Sequence, residues 1–329
     1  YAPSAPTTFP PPATVVNVQN DIIADTTWTR DNQYILKDYI FVASGATLSI
    51  EAGTIIKADQ GSGDAAPALI ITQGSKIHAD GNYSDPIIFT SVLDNGNNLS
   101  KDDKGLWGGL IILGNAPINS NGGSNADNTP LTNTIEGIPS TSGISGRSLP
   151  AAWAQYGGTN DLDDSGFLRF VSIRHGGAEI GAGNEINGLT LAGVGEMTQI
   201  EHVEIFANRD DGIEFFGGSV DAKYLSVAYA GDDSFDIDEG YNGRLQYLLS
   251  IQDENSNRAI EWDGSFESDD RAADTSTLPD WSEPRISNMT AIGIGKYGTA
   301  MHEDMNIGLE IRDNAAGRVM NSVFTEFAK

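Results

Sequence analysis

The sequence predicts an all-β chain wound into a right-handed parallel β-helix with long loop insertions. Three observations lead there: short apolar runs set between Gly, Asn and Asp clusters, a motif that recurs every 22–25 residues, and almost no helical period. Residues 1–20 include Phe9-Pro10-Pro11-Pro12, a composition that favours extended polyproline geometry. They read as an arm ahead of a solenoid spanning 21–329.

The first coils carry Tyr39-Ile40-Phe41-Val42, Thr47-Leu48-Ser49-Ile50, Ala68-Leu69-Ile70-Ile71 and Pro86-Ile87-Ile88-Phe89, leading to Trp107-Gly108-Gly109-Leu110-Ile111-Ile112-Leu113. Residues 119–165 are rich in Asn, Gly, Ser and Thr and too long for a turn. Loops of that length are commonly functional, so this insertion is expected to wall or cover a groove.

The repeat is clearest in the second half. Leu189-Thr190-Leu191, Ile213-Glu214-Phe215, Phe235-Asp236-Ile237 and Ile260-Glu261-Trp262 open successive units, their central residues 24, 22 and 25 positions apart. Leu309-Glu310-Ile311 follows 49 positions after Glu261, one unit plus an insertion near 264–284. A second strand in each unit is read at Val203-Glu204-Ile205, Leu225-Ser226-Val227, Leu249-Ser250-Ile251 and Ser322-Val323-Phe324. Units of this size match solenoid coils, whose like strands stack in parallel about 4.8 Å apart. The right hand follows from the crossover preference of parallel strands.

With 46 Asp and Glu against 19 Lys and Arg, the formal net charge is -27. Such a surface repels phosphate backbones, which argues against nucleic acid, and repels anionic glycans unless metal ions bridge the two. Calcium, a hard cation that takes oxygen ligands, is the expected neutraliser. Cysteine is absent, so disulfides and thiolate chemistry are excluded. No apolar run is long enough for a membrane-spanning helix.

The coil alignment places Asp210-Asp211 in one turn and Asp232-Asp233 in the equivalent turn 22 positions later, with Glu214 and Asp236 three residues beyond. Carboxylates stacked one strand spacing apart repel, which raises their pKa values or recruits cations. Asp210, Asp211, Asp232 and Asp233 are therefore the catalytic candidates, and Asp211, Glu214, Asp233, Asp236 and Asp238 the metal candidates. The competing expectation is that such Asp residues only cap tight turns. Asp161 and Asp163, in Asn160-Asp161-Leu162-Asp163-Asp164-Ser165-Gly166, space oxygen ligands like the opening of an EF-hand loop and add a second calcium candidate. Position twelve of that loop would be Ser172 rather than Glu, so it is not a complete EF-hand. For substrate binding, Trp262, Trp281 and Tyr241 could stack on sugar faces, and Arg258, with Arg209 and Arg244, lies near the acidic patch by alignment.

The segments Trp107-Gly108-Gly109-Leu110-Ile111-Ile112-Leu113-Gly114-Asn115-Ala116-Pro117, Asp210-Asp211-Gly212-Ile213-Glu214-Phe215-Phe216-Gly217-Gly218 and Gly231-Asp232-Asp233-Ser234-Phe235-Asp236-Ile237-Asp238 resemble bacterial extracellular parallel β-helix proteins of the pectin-lyase-like superfamily. The resemblance spans roughly Asp21 to Lys329. Those proteins are commonly surface-associated and without assigned activity, which implies an extracellular or outer cell-surface location. A narrower resemblance is to polygalacturonase-type inverting glycosidases, which use Asn-x-Asp and Asp-Asp motifs on neighbouring coils, as in Asn208-Arg209-Asp210 and Asp232-Asp233. The departure is that the next turn reads Asn255-Ser256-Asn257 in place of Gly-His-Gly, with no Arg-x-Lys beyond it. A pectate-lyase route would use calcium to acidify a uronate and an Arg to take the proton.

Two functions are therefore expected from the sequence. One is a calcium-binding surface protein that binds or processes extracellular polysaccharide. The other is a non-catalytic structural or adhesive module that binds cell-surface components and self-associates through the β-helix ends, assembling head-to-tail into a fibre. The strand pattern at Val323-Phe324-Thr325 motivates that second expectation.

Overall fold

A computed structural model describes residues 9–119, 131–136, 138, 150–181, 184–264, 281–295, 298–299, 305–313 and 315–327. Their strands form a parallel β-helix. One face is an eight-stranded parallel sheet in which Ile40–Val42, Leu69–Ile71, Leu110–Leu113, Leu189–Ala192, Ile213–Phe216, Phe235–Asp238, Ile260–Asp263 and Glu310–Arg312 stack in chain order. The register read from the sequence holds: Thr190 pairs with Glu214, Glu214 with Asp236, Asp236 with Glu261, and Glu261 with Glu310.

The other faces belong to a 15-stranded sheet that turns a corner. Its long strands Gly166–Arg174, Gln199–Phe206, Ala222–Ala228 and Arg244–Ile251 each bend at one residue with positive φ, namely Phe170, His202, Tyr224 and Tyr247. Within this sheet the sequence reading slips by one residue. Leu225 pairs with Leu248 rather than Leu249, so Leu248 and Ser250 face inward. A polar inward position is tolerated because the Ser250 hydroxyl meets that of Ser234 at 2.7 Å.

The interior is a continuous apolar column, from Ile22, Trp28 and Leu36 through Leu110, Leu189 and Ile213 to Phe235, Trp262 and Ala291. Each coil buries its apolar side against the coils above and below, so no separate layer is needed to close the core. The stretch expected to be an arm is partly solenoid: Thr14–Val18 pairs in parallel with Asn32–Leu36, so stacking begins before residue 21. Val16 and Val18 pack on the core, which gives that edge strand its reason to order. Residues 1–8 lie outside the described residues, as do most of the two insertions.

A second apolar cluster sits outside the eight-stranded sheet. Phe41, Ile70 and Ile111 point outward there and are covered by Ile118, Leu131, Ile135, Ala154 and Tyr156. The described part of the 119–165 insertion, including the antiparallel pair Asn133–Thr134 and Gln155–Tyr156, thus forms a wall over the first coils.

Candidate functional site

One outward column of the eight-stranded sheet runs Phe41, Ile70, Ile111, Thr190, Glu214, Asp236, Glu261, Glu310. It changes from apolar to acidic where the covering insertion ends. The neighbouring column, three residues earlier on each coil, reads Asn187, Asp211, Asp233, Arg258. Coil spacing therefore forces carboxylates into contact that sequence separation would keep apart.

Two groups of three result. Oxygens of Asp210, Asp211 and Asp232 lie within 4.8 Å of one another, and so do oxygens of Asp211, Glu214 and Asp236. Asp211 belongs to both. Asp211, Glu214 and Asp233 are buried. Burial raises the Asp211 carboxyl well above the usual carboxylate range, and Asp210, Asp236, Asp233 and Asp232 push it the same way. Glu214 is raised by burial and then by Asp236, Asp211 and Glu136; Asp236 by burial and then by Glu261, Asp238 and Asp263. Asp233 is raised by burial and by Asp232, and Asp238 is pushed up to about 7 by burial and by Glu239.

The amides and cations around this cluster compensate only part of it. The Asp233 backbone N–H donates to Asp211 Oδ1 at 2.8 Å, and the Arg258 N–H donates to Asp233 Oδ1 at 2.6 Å. One oxygen of Asp211 and one of Asp233 thus tie each coil to the next, which differs from the expected capping of a residue's own turn. The Asn187 side-chain amide donates to Glu214 Oε2, while Asp236 Oδ1 and Asn187 Oδ1 are buried with no hydrogen-bond partner. Arg258 contacts Glu310, Glu261 at 3.5 Å and Asp233 at 3.8 Å; Arg312 contacts Glu261 at 2.8 Å and Asp263 at 2.5 Å. Both guanidiniums serve the later coils.

That donor set fits a calcium ion. Calcium takes oxygen ligands at about 2.3–2.6 Å, so two ligating oxygens are separated by at most about 5 Å. The oxygens of each group meet that condition. Asp211, Glu214 and Asp236 would hold one ion, and Asp210, Asp211 and Asp232 a second or shared one.

Other expected site residues fall elsewhere. Trp262 and Tyr241 are buried in the coil interior, 1% and 0% exposed, and cannot stack on a sugar. Trp262 alternates inward in its strand, and Tyr241, in the turn after Asp238, spends its hydroxyl on the Val220 carbonyl at 2.7 Å. Trp281 is half-buried, and the insertion before it lies outside the described residues. Arg244 points away from the patch and pairs with Asp221, while Arg209 reaches Glu179 at 2.9 Å. Asn208, expected to belong to a glycosidase-like motif, is buried and donates to the Asp211 carbonyl at 2.7 Å, a turn-holding role.

The loop carrying Asp161 and Asp163 also holds itself. Buried Asp163 accepts from the Ser165 hydroxyl at 3.0 Å, and the Asp161 carbonyl accepts from the Glu196 amide at 2.8 Å. Among the described residues these two join no group of possible metal ligands. Sequence reasoning missed Asn187, Glu136 and Arg312. Asn187 could have been found two residues before Leu189, the same offset as Asp211 before Ile213.

The model of the pectate-lyase like beta helix domain matches residues 20–329. Among solved structures, a rice weevil pectin methyl esterase is similar over 83% of this chain and 82% of its own, at 12% identity and a TM-score of 0.28. No curated protein matches.

Proposed function

The chain belongs to the pectate-lyase like beta helix domain family, and from that premise we propose that it is an extracellular calcium-binding protein that holds an acidic polysaccharide on its carboxylate ladder. The observation that carries this reading is the pair of oxygen groups that share the buried Asp211 on an outward sheet face. Asp211, Glu214 and Asp236 bind the ion. The bound ion supplies the positive charge that a uronate carboxylate needs on a surface of net charge -27. The wall over the first coils bounds the face on one side, with Tyr156 donating to Glu239 at 2.8 Å and Asn133 donating to it at 2.9 Å.

The arrangement supports binding better than cleavage. Arg258, the candidate base for a lyase, is committed to Glu310, Glu261 and Asp233, contacts that hold its proton more firmly. A second reading, a structural or adhesive module, is favoured by the bonds from Asp211 and Asp233 to the next coil, because an ion there would also fasten coils together.

Calorimetric titration with calcium, followed by polygalacturonate with and without chelator, tests the proposal. Calcium uptake followed by calcium-dependent retention of the glycan is expected. Absence of calcium uptake overturns it, and calcium uptake without glycan retention selects the structural reading. Release of reducing ends or unsaturated products would move the assignment to catalysis.

A further inference from the structure

At the corner of the 15-stranded sheet, Phe170, His202, Tyr224 and Tyr247 occupy one position in four successive coils. Their rings form a continuous stack: 4.2 Å and 4° from Phe170 to His202, 4.4 Å and 7° to Tyr224, and 4.8 Å and 5° to Tyr247. Every one has left-handed backbone, with φ of 49, 55, 58 and 59°. Bulky residues are rare in that region, which Asn tolerates far better. The following coils show what the corner alone requires, because Asn288 and Asn321 stand there with φ of 59 and 48°.

Aromatic residues at this corner are thus costlier than the fold demands, and they remain partly open to solvent: Tyr224 is 42% and Tyr247 43% exposed. Backbone strain concentrated in consecutive coils is a reason to look for a ligand. A groove of about 450 Å³ runs along the stack, with the rings on one wall and Glu204, Ser226, Leu249 and Thr290 on the other. It reaches Asn288, four coil steps from Phe170, a length of about 19 Å at the usual strand spacing.

We propose that this groove is a second, metal-independent binding site for a neutral glycan chain. A linear polymer fits an open channel along the solenoid axis, and its hydroxyl oxygens match the positive ring edges on one wall while its hydroxyl hydrogens match the hydroxyl and carboxylate oxygens on the other. Charge selects against a polyanion. Glu204 already accepts from the Ser172 hydroxyl at 2.6 Å and meets Arg174 at 3.4 Å. The flanking cations are also engaged, Lys223 with Glu201 at 3.2 Å and Arg169 with Asp80 at 3.3 Å.

Affinity electrophoresis in chelator, through gels containing hydroxyethylcellulose or galactomannan, tests this. The wild-type chain should be retarded by at least one of them. The double variant Tyr224→Asn, Tyr247→Asn should lose about tenfold in affinity, corresponding to about 1.4 kcal/mol. Asparagine is chosen because it occupies the same corner in two later coils, and an unchanged melting profile checks folding. Asp211→Asn should be retarded like wild type, which separates this groove from the carboxylate ladder. No retardation by either polymer, or equal retardation of wild type and double variant, overturns the proposal. Concentration-dependent dimerisation that the double variant abolishes would overturn it in favour of a second copy of this chain in the groove.

Discussion

Replacing Asp211 by Asn separates the two roles of this side chain. Asparagine keeps an oxygen that can accept the Asp233 N–H, now held at 2.8 Å, but removes the charge shared by both groups of carboxylates. Two unit charges at the 4.8 Å limit of those groups repel by about 3–4 kcal/mol at an effective dielectric constant of 20. Partial protonation already relieves some of this, so the variant in chelator at neutral pH should gain on the order of 1–3 kcal/mol. Wild type with calcium at about 100 times its dissociation constant should gain about 2.7 kcal/mol, while the variant gains little. For a domain of this size about 2 °C accompanies each kcal/mol, so calcium should raise the wild-type melting temperature by about 5 °C.

Scanning calorimetry of both chains in chelator and in millimolar calcium makes the measurement. Asp211→Ala is the control, since it removes the same charge but also orphans a buried N–H and should be about 1–3 kcal/mol less stable than Asp211→Asn in chelator. An undiminished calcium response in Asp211→Asn would refute the reasoning. A loss of stability in chelator equal to that of the alanine variant would do so as well, because capping would then account for the whole effect.

Three further outcomes follow. Asp238 titrates at about 7 in the fold against 3.8 ordinarily, so the folded state holds more protons between those values. Stability in chelator should therefore fall as pH rises from about 4 to 7; melting across that range with and without calcium checks the sign, and calcium should flatten the slope by replacing protons. Trp262→Ala should cost about 3–5 kcal/mol in denaturant unfolding, as expected for a buried indole, without altering calcium affinity. Arg258→Gln leaves Glu310, Glu261 and Asp233 without a shared cation, so it should lower the melting temperature in chelator more than in calcium.

What the sequence made legible depended on whether a residue's role is set by the coil repeat or by its environment. The central residues of the units were found because a strand paired in parallel repeats its inward and outward positions in every coil, and Glu214, Asp236, Glu261 and Glu310 align without ambiguity. The second strand was misread at Leu249 because two consecutive leucines, Leu248 and Leu249, each fit a period of two. A buried pair of hydroxyls, Ser234 and Ser250, decides the register instead. Trp262 and Tyr241 were expected at the surface because an aromatic near an acidic patch suggests sugar stacking, yet strand alternation turns Trp262 inward and Tyr241, between two strands, is buried with its hydroxyl on the Val220 carbonyl. The aromatic corner was not legible at all, since a bend at positive φ leaves no apolar period and its members look like outward residues of unbroken strands.

Both candidate sites arise from one geometric fact, that a solenoid repeats any side chain at strand spacing, and the sign of the interaction then decides what each column needs. Rings at 4.2–4.8 Å attract and complete themselves, so the aromatic column is stable without a ligand and can offer its edges to one. Carboxylates at the same spacing repel, and the column that holds them is incomplete until protons, guanidiniums or metal ions neutralise it. The chain uses guanidiniums at one end of the acidic column, where Arg258 and Arg312 sit among Glu261, Asp263 and Glu310. The groups that share Asp211 lie one and two coils earlier in that column, around Glu214 and Asp236. Were neutralisation by protein cations sufficient for every coil, the simplest sequence would continue the arginine column upward; instead Asp233 and Asp211 stand at the positions preceding Arg258, where an exchangeable cation can do what a fixed one would prevent.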